Sequence, residues 1–146
     1  MSDHPFSDAP LPASPGAVLH RRADYDNVPD SIGVARDLAR DFLADISRHT
    51  GVLSERTAGD IMLVVSELIT NAARHDGGPR LLDLTCTKHE VEVTVWDTSA
   101  QLPTRLPRDP HRIGGHGIEI VTALCSRFQA ERVPGGKRVH ASIPLA

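Results

Sequence analysis

Two pairs of predicted strands, each joined by a short turn, constrain the fold of this chain most strongly. Segments 81–87 and 91–96 are rich in Leu, Thr and Val and are separated by a three-residue connection. Segments 127–132 and 138–144 flank the turn Pro134–Lys137. Parallel neighbours need a crossover of a dozen or more residues, so connections this short join antiparallel strands. The sequence therefore excludes a doubly wound parallel sheet.

Three amphipathic helices are predicted around these strand pairs. The first runs from Pro29 to Gly51, the second from a Ser54 cap to about His75, and the third follows Gly114-Gly115-His116-Gly117. A weak strand signal at 17–25 precedes them. Helices and paired strands in this order predict an α/β (α+β) two-layer sandwich, with a mixed, mostly antiparallel sheet and the helices on one face.

Length and composition indicate one globular domain with a short tail. The chain has 146 residues, 40% of them hydrophobic and 24% charged, which is typical of a single folded domain. Residues 1–17 contain four prolines and one large apolar side chain, Phe6. We therefore expect a disordered tail at 1–17 and one domain at 18–146. Residues 98–113 hold three further prolines and predict a long loop that could serve as a lid.

Several classes of protein are disfavoured by composition. A net charge of −3 and only five aromatic residues do not suit direct nucleic-acid binding. No apolar run approaches the ~20 residues of a membrane span, and no signal peptide is evident, so we expect a cytoplasmic protein without membrane contact. The two cysteines are expected to be free core thiols, and the eight histidines show no zinc-ligand spacing.

Polar residues on the second helix form the first candidate site. Asp60, Glu67, Asn71 and Arg74 follow one another at intervals of seven, four and three, so they share one helical face. The surrounding run 61–73 is otherwise mostly apolar, which places Glu67 and Asn71 at the edge of a core, facing a cleft. A carboxylate there could act as a general base, and an Asn carbonyl oxygen could ligate Mg²⁺. On periodicity alone, an ordinary solvated stripe is the simpler interpretation.

Two other features are weak when taken singly. Asp97 stands where strand 91–96 ends, a position from which a carboxylate can accept a hydrogen bond from an exocyclic amine, or simply end the strand in a turn. The segment Gly114–Gly117 permits close backbone approach and offers free N–H groups to phosphate at a helix start. It matches neither the dinucleotide fingerprint nor the P-loop, and it could be a plain glycine-rich turn.

Together, in this order and spacing, the features resemble a known superfamily. Val64–His75 resembles the N box of the histidine-kinase-like (GHKL) ATPases, Val93–Ser99 resembles their G1 box, and Gly114–Ile118 resembles their G2 box. The resemblance covers about residues 18–145. It is strongest to the anti-sigma-factor serine/threonine kinases and their actinobacterial relatives.

The resemblance implies a Bergerat-type ATP-binding fold with ATP and Mg²⁺ as cofactors. By it, Glu67 is the base that activates the attacking hydroxyl, Asn71 holds the Mg²⁺ ion, and Asp97 recognises the adenine amino group. The positions that it places near the phosphates are Arg74, His75, Gly115 and Gly117.

The sequence departs from the family pattern at two places. The G1 box usually carries glycine two residues after its aspartate, whereas Asp97 is followed by Thr98-Ser99-Ala100. Relatives commonly carry Thr or Ser after the Gly-Gly-Lys turn, where a hydroxyl contacts nucleotide, and here Arg138 takes that place. We expect these changes to alter the shape of the loop and the affinity for ATP.

The resemblance implies an ATP- and Mg²⁺-dependent kinase that phosphorylates a STAS-type anti-anti-sigma partner and sequesters a sigma factor, as a homodimer. The alternative is a non-catalytic module that binds a partner in response to nucleotide. A sensor histidine kinase is disfavoured, because residues 1–28 are not expected to supply its helical phosphoacceptor segment.

Overall fold

The order of helices and strands agrees with the sequence prediction. The computed structural model describes residues 16–25, 31–51, 53–73, 78–98 and 117–145. Its elements are β1 (Leu19–Asp24), α1 (Ser31–Thr50), α2 (Glu55–Ala73), β2 (Pro79–Cys86), β3 (Glu90–Asp97), α3 (Gly117–Leu124), β4 (Arg127–Val133) and β5 (Gly136–Pro144). The predicted tail apart from residues 16 and 17, the Pro29 helix start and nearly all of the predicted loop lie outside the described residues.

The predicted α/β (α+β) two-layer sandwich with a mostly antiparallel sheet is confirmed, and in the described part of the chain the sheet is wholly antiparallel rather than mixed. Its five strands lie in the order β1-β2-β3-β5-β4, and each of the four neighbouring pairs is antiparallel. Strands β3 and β4 run in the same direction. The tight β4–β5 hairpin places β5 between them, and no parallel pair remains.

Two local signals fix the ends of the long helices as predicted. The Ser54 hydroxyl oxygen accepts a hydrogen bond from the Thr57 backbone N–H at 3.1 Å, which is the geometry of a helix N-cap. Gly51 has a φ of +77°, and its N–H donates to the Ser47 carbonyl oxygen at 2.9 Å. A left-handed glycine after the last turn ends α1 at the expected place.

The β4–β5 turn is shorter than the sequence predicted. Val133 pairs with Gly136, so the turn consists of Pro134 and Gly135, with Gly135 at a φ of +84°. Proline followed by a positive-φ glycine is a favoured combination for a tight turn. Gly136 and Lys137, predicted to belong to the turn, are therefore the first two residues of β5.

The sheet has one apolar face, which the helices cover, and one polar face. Val91, Val93 and Val95 alternate along β3 with Glu92 and Thr94, as the period of two predicted. The valines belong to one core with α1, α2 and α3, whose buried side chains are Ala35, Ala39, Phe42, Leu43, Ile46, Ile61, Val64, Val65, Leu68, Ile69, Ala72 and Val121. Among the described helices, none combines the length and the apolar composition that a membrane span requires.

Candidate functional site

Asp97 is a buried carboxylate at the end of the apolar face. It is the last residue of β3 and continues the alternation of Val91, Val93 and Val95, which directs its side chain towards the helices. It is 1% exposed. Its Oδ2 lies 2.7 Å from Nζ of Lys137, which is 0% exposed. A buried ion pair therefore closes the core where β3 ends and β5 begins.

Gly136 brings β5 into direct contact with the backbone of Asp97. A Cβ atom on Gly136 would lie 1.9 Å from the Asp97 carbonyl oxygen, a distance that no real side chain tolerates. The residue that follows, Lys137, pairs in register with Asp97. Glycine is therefore required here by the close approach of two backbones, and this approach sets the lysine beside the carboxylate.

Lys137, and not Arg138, occupies the position beside Asp97. Successive side chains on a strand point to opposite faces, so Arg138 is directed to the polar face, where it forms an ion pair with Glu131 of β4. That Arg138 stands where relatives carry a nucleotide-contacting hydroxyl stays a prediction. Sequence reasoning missed Lys137, although one signal was present. Lys137 lies two and four residues before Val139 and Ala141, so it shares their face of the strand, and both of them are buried.

Glu67 and Asn71 lie at the border of the buried face of α2. Both are half-buried and four residues apart, so they occupy the same side of the helix one turn from each other. The neighbouring residues Val64 and Leu68 are fully buried, whereas Leu63 is exposed. The predicted location at the edge of the core is confirmed. The roles assigned to the two side chains stay predictions.

The C-terminal end of α2 and the C-terminal end of β3 lie at the same end of the domain. Strand β2 begins at Pro79, a few residues after α2 ends at Ala73, and Pro79 pairs with Asp97. Helix α2 packs against both β3 and β5. The fold therefore brings Asn71 and Asp97 to one edge of the domain.

The remaining predicted site residues are only partly described. Gly117 is the first residue of α3, which packs against α2. Arg74, His75 and Gly115 lie outside the described residues.

Burial raises the pKa of two ionisable side chains outside the ion pair, Tyr25 and Cys125. The pKa of Tyr25, whose backbone N–H donates to the Arg80 carbonyl oxygen at the same edge of the sheet, is raised by desolvation to about 12. Desolvation also raises the pKa of Cys125, directly after α3, to about 11. Neither group ionises near neutral pH, so neither a phenolate nor a Cys125 thiolate is available as a nucleophile or a base.

The donors and acceptors at this edge suit a nucleoside triphosphate and a hard cation. A buried carboxylate at a strand end can accept a hydrogen bond from an exocyclic amine, and the close approach of Gly136 fixes the backbone of Asp97. The side-chain oxygen of Asn71 is a hard ligand of the kind that Mg²⁺ prefers, and the Glu67 carboxylate beside it can act as a base. The residues present therefore fit ATP and Mg²⁺ chemically.

Comparison with known proteins agrees with this chemistry. A family model described as the histidine kinase-like ATPase domain matches residues 30–143, a span that holds α1 to α3, β2 to β4 and all of β5 except its last residue. The matched span includes Glu67, Asn71, Asp97 and Lys137. A search of the curated proteins gave no significant match.

Proposed function

Because this chain belongs to the histidine kinase-like ATPase domain family, we propose that it is an ATP- and Mg²⁺-dependent serine/threonine protein kinase of the anti-sigma-factor type. Membership of the family indicates that the domain binds ATP. The proposed substrate is a Ser or Thr hydroxyl on a STAS-type anti-anti-sigma partner. The same domain, as a homodimer, sequesters a sigma factor when that partner is phosphorylated.

The observation that carries this proposal is the position of Glu67. Its carboxylate lies at the edge of the core, one helical turn before Asn71 and on the side of α2 that borders the buried face. A half-buried carboxylate at the edge of a core can accept the proton of an attacking hydroxyl. Phosphoryl transfer otherwise depends on positioning and on neutralising charge, rather than on covalent chemistry by the protein.

The other residues at this edge bind and orient. Asp97 would accept a hydrogen bond from the exocyclic amine of adenine, and the Asn71 side-chain oxygen would be a ligand of Mg²⁺. The bound Mg²⁺ ion would neutralise charge on the phosphates during transfer. Glu67 then needs only to hold the substrate hydroxyl and take its proton.

Phosphoryl transfer is the direct test. The protein is mixed with Mg-ATP and a STAS-type candidate, and intact mass is measured for one added phosphoryl group on the candidate. Glu67→Gln should abolish the transfer while ATP binding, measured by calorimetry, stays within a few-fold of the wild type. Glu55→Gln is the matched control, because Glu55 is exposed in the first turn of the same helix and should keep both properties.

A nucleotide-responsive binding module is the second candidate function. The Asp97–Lys137 ion pair favours it, because this pair can serve nucleotide binding without serving phosphoryl transfer. Such a module should bind ATP and change its affinity for a partner, and Glu67→Gln should leave that change intact. If ATP binds and no STAS-type or other partner gains phosphate, the kinase proposal fails and the binding module remains.

A further inference from the structure

The Lys137 ammonium has more donors than the described residues satisfy. It is fully buried, and among the described residues its polar contact is the ion pair with Asp97, Nζ to Oδ2 at 2.7 Å. Apart from that contact, Nζ has no hydrogen-bond partner among the residues that the structure describes. An ammonium carries three N–H donors, and buried polar groups in folded proteins are nearly always hydrogen-bonded. Donors left over at such a site call for an acceptor that the described part of the chain does not supply.

Stability of the fold does not account for this lysine. Lys137 lies on the same face of β5 as Val139, Ala141 and Ile143, which are all buried and apolar. An apolar side chain would therefore suit its position in the sheet. Taking two charges out of water costs free energy that their attraction often fails to return, and well-packed apolar residues commonly replace such pairs without loss. The ion pair also lies at the end of β3 and the start of β5, where a ligand can approach beyond the strand ends.

We propose that Lys137 reads the nucleobase together with Asp97. The two side chains present one acceptor and one donor next to each other. Adenine presents the complementary pair, since its exocyclic 6-amino group lies beside a ring nitrogen acceptor on either edge, N1 or N7. Asp97 accepts from the amino group, and Lys137 donates to the adjacent ring nitrogen. Lys137 is thus a specificity-determining residue for an adenine nucleotide, an inference that rests on the proposed binding of ATP.

Deaza analogues of ATP test this contact in the unmodified protein. Replacing N1 or N7 by carbon removes one acceptor and leaves the amino group and the phosphates intact. Calorimetry on the wild type with ATP, 1-deaza-ATP and 7-deaza-ATP, each with Mg²⁺, should show one analogue binding about 10- to 100-fold more weakly than ATP, as expected for loss of a charged hydrogen bond. The other analogue should bind like ATP, and it identifies the edge that is not read.

Lys137→Met tests the same contact from the side of the protein. The variant should bind ATP about 10- to 100-fold more weakly, and it should no longer distinguish ATP from the discriminated analogue, because the donor is gone. Lys88→Met is the matched control. Lys88 is the chain's other lysine and lies exposed in the β2–β3 turn, so this variant should keep the full discrimination. Fluorescence of the single tryptophan, Trp96, reports whether each variant is folded.

The possible outcomes separate this inference from the proposed function. If the wild type binds ATP and both analogues equally, Lys137 does not read the base and the inference is overturned, whatever the variant does. If the wild type binds no ATP at all, the inference and the proposed function fall together. If ATP and the analogues bind as expected but no phosphate is transferred, the inference stands and only the kinase proposal fails.

Discussion

The two faces of the sheet both hold charged side chains between neighbouring strands, but they satisfy these charges differently. On the polar face, the Asp83 carboxylate accepts hydrogen bonds from His20 and from Arg22, the latter at 3.1 Å, and both partners are partly exposed. On the helix-covered face, Asp97 and Lys137 are buried, and the described residues leave part of the hydrogen-bonding capacity of the lysine unused. The polar face therefore joins strands through charges whose partners keep access to water, whereas the covered face holds a buried charged pair, which the proposed nucleotide would complete.

The largest expected effect comes from removing one charge of the buried pair. Asp97→Asn leaves the Lys137 ammonium without a counter-charge in the core and should lower the free energy of unfolding by about 3–5 kcal/mol. The same substitution on the polar face, Asp83→Asn, should cost less, about 1–2 kcal/mol, because Asp83 is buried but its partners His20 and Arg22 are partly exposed. Urea unfolding followed by Trp96 fluorescence measures both values.

Equal costs for these two variants would contradict the comparison. Such a result would mean that the Asp97–Lys137 pair is no more isolated from solvent than the pairs of the polar face. A third variant, Glu131→Gln, breaks the ion pair of Arg138 with an exposed partner and should change the free energy of unfolding least.

Replacing both charges of the buried pair together should restore most of the free energy of unfolding that Asp97→Asn loses. In Asp97→Leu combined with Lys137→Met, two apolar side chains occupy the end of a face that is otherwise apolar. Such replacements are often neutral or stabilising by about 1–4 kcal/mol. The double variant should therefore unfold at a urea concentration similar to or above that of the wild type, while calorimetry detects no ATP binding. A double variant as unstable as Asp97→Asn would show that the pair supports the fold.

A smaller loss of stability is expected where β5 presses on the backbone of Asp97. Gly136→Ala would place a Cβ 1.9 Å from the Asp97 carbonyl oxygen, so the two strands must separate, at a cost of about 1–3 kcal/mol. The separation also moves Lys137 away from the carboxylate, so ATP should bind more weakly. Thermal unfolding and calorimetry measure the two effects.

Gly59→Ala provides the matched control for that substitution. Gly59 lies within α2, and a Cβ there would meet nothing within 4 Å. Replacing an unstrained helical glycine by alanine should stabilise the protein by about 0.5–1 kcal/mol. A Gly136→Ala protein that is equally stabilised would show that β3 and β5 do not approach as closely as the structure describes.

The parts of the fold that local patterns determine could be predicted from the sequence. The Ser54 cap and Gly51 fix where α2 begins and α1 ends. Periodicity placed Glu67 and Asn71 at the edge of a core before any tertiary contact was known, because the side of a helix that a residue occupies depends only on its spacing.

The features that depend on pairing between distant strands could not be predicted. Nothing in the local pattern indicates that β5 lies between β3 and β4, and this order is what brings Lys137 beside Asp97. The length of the β4–β5 turn also matters, because a turn that includes Gly136 and Lys137 makes Arg138 the first residue of the strand. A strand reverses the face of a side chain with each residue, so an error in the register changes which residue belongs to the site.

The smallest expected effect tests the polar face by pH. His140 is half-buried there, with Nδ1 sharing a hydrogen bond with Thr94 Oγ1 at 2.8 Å, while Glu92 lies 3.5 Å from Nε2. Desolvation lowers the pKa of His140, and Arg127 and Arg138 lower it further, against the opposing charges of Glu92 and Glu90. The folded state therefore favours the neutral ring.

Because the pKa of His140 is lower in the folded state than its ordinary value of 6.5, the unfolded chain binds more protons as pH falls through that value. The stability that the neutral ring contributes is present above pH 6.5 and is lost below it. His140→Gln should reduce the drop in the free energy of unfolding between about pH 8 and about pH 5, measured by urea titration. His89→Gln, at an exposed histidine in the β2–β3 turn, is the matched control. An equal reduction in both variants would contradict the assignment of this pH dependence to His140.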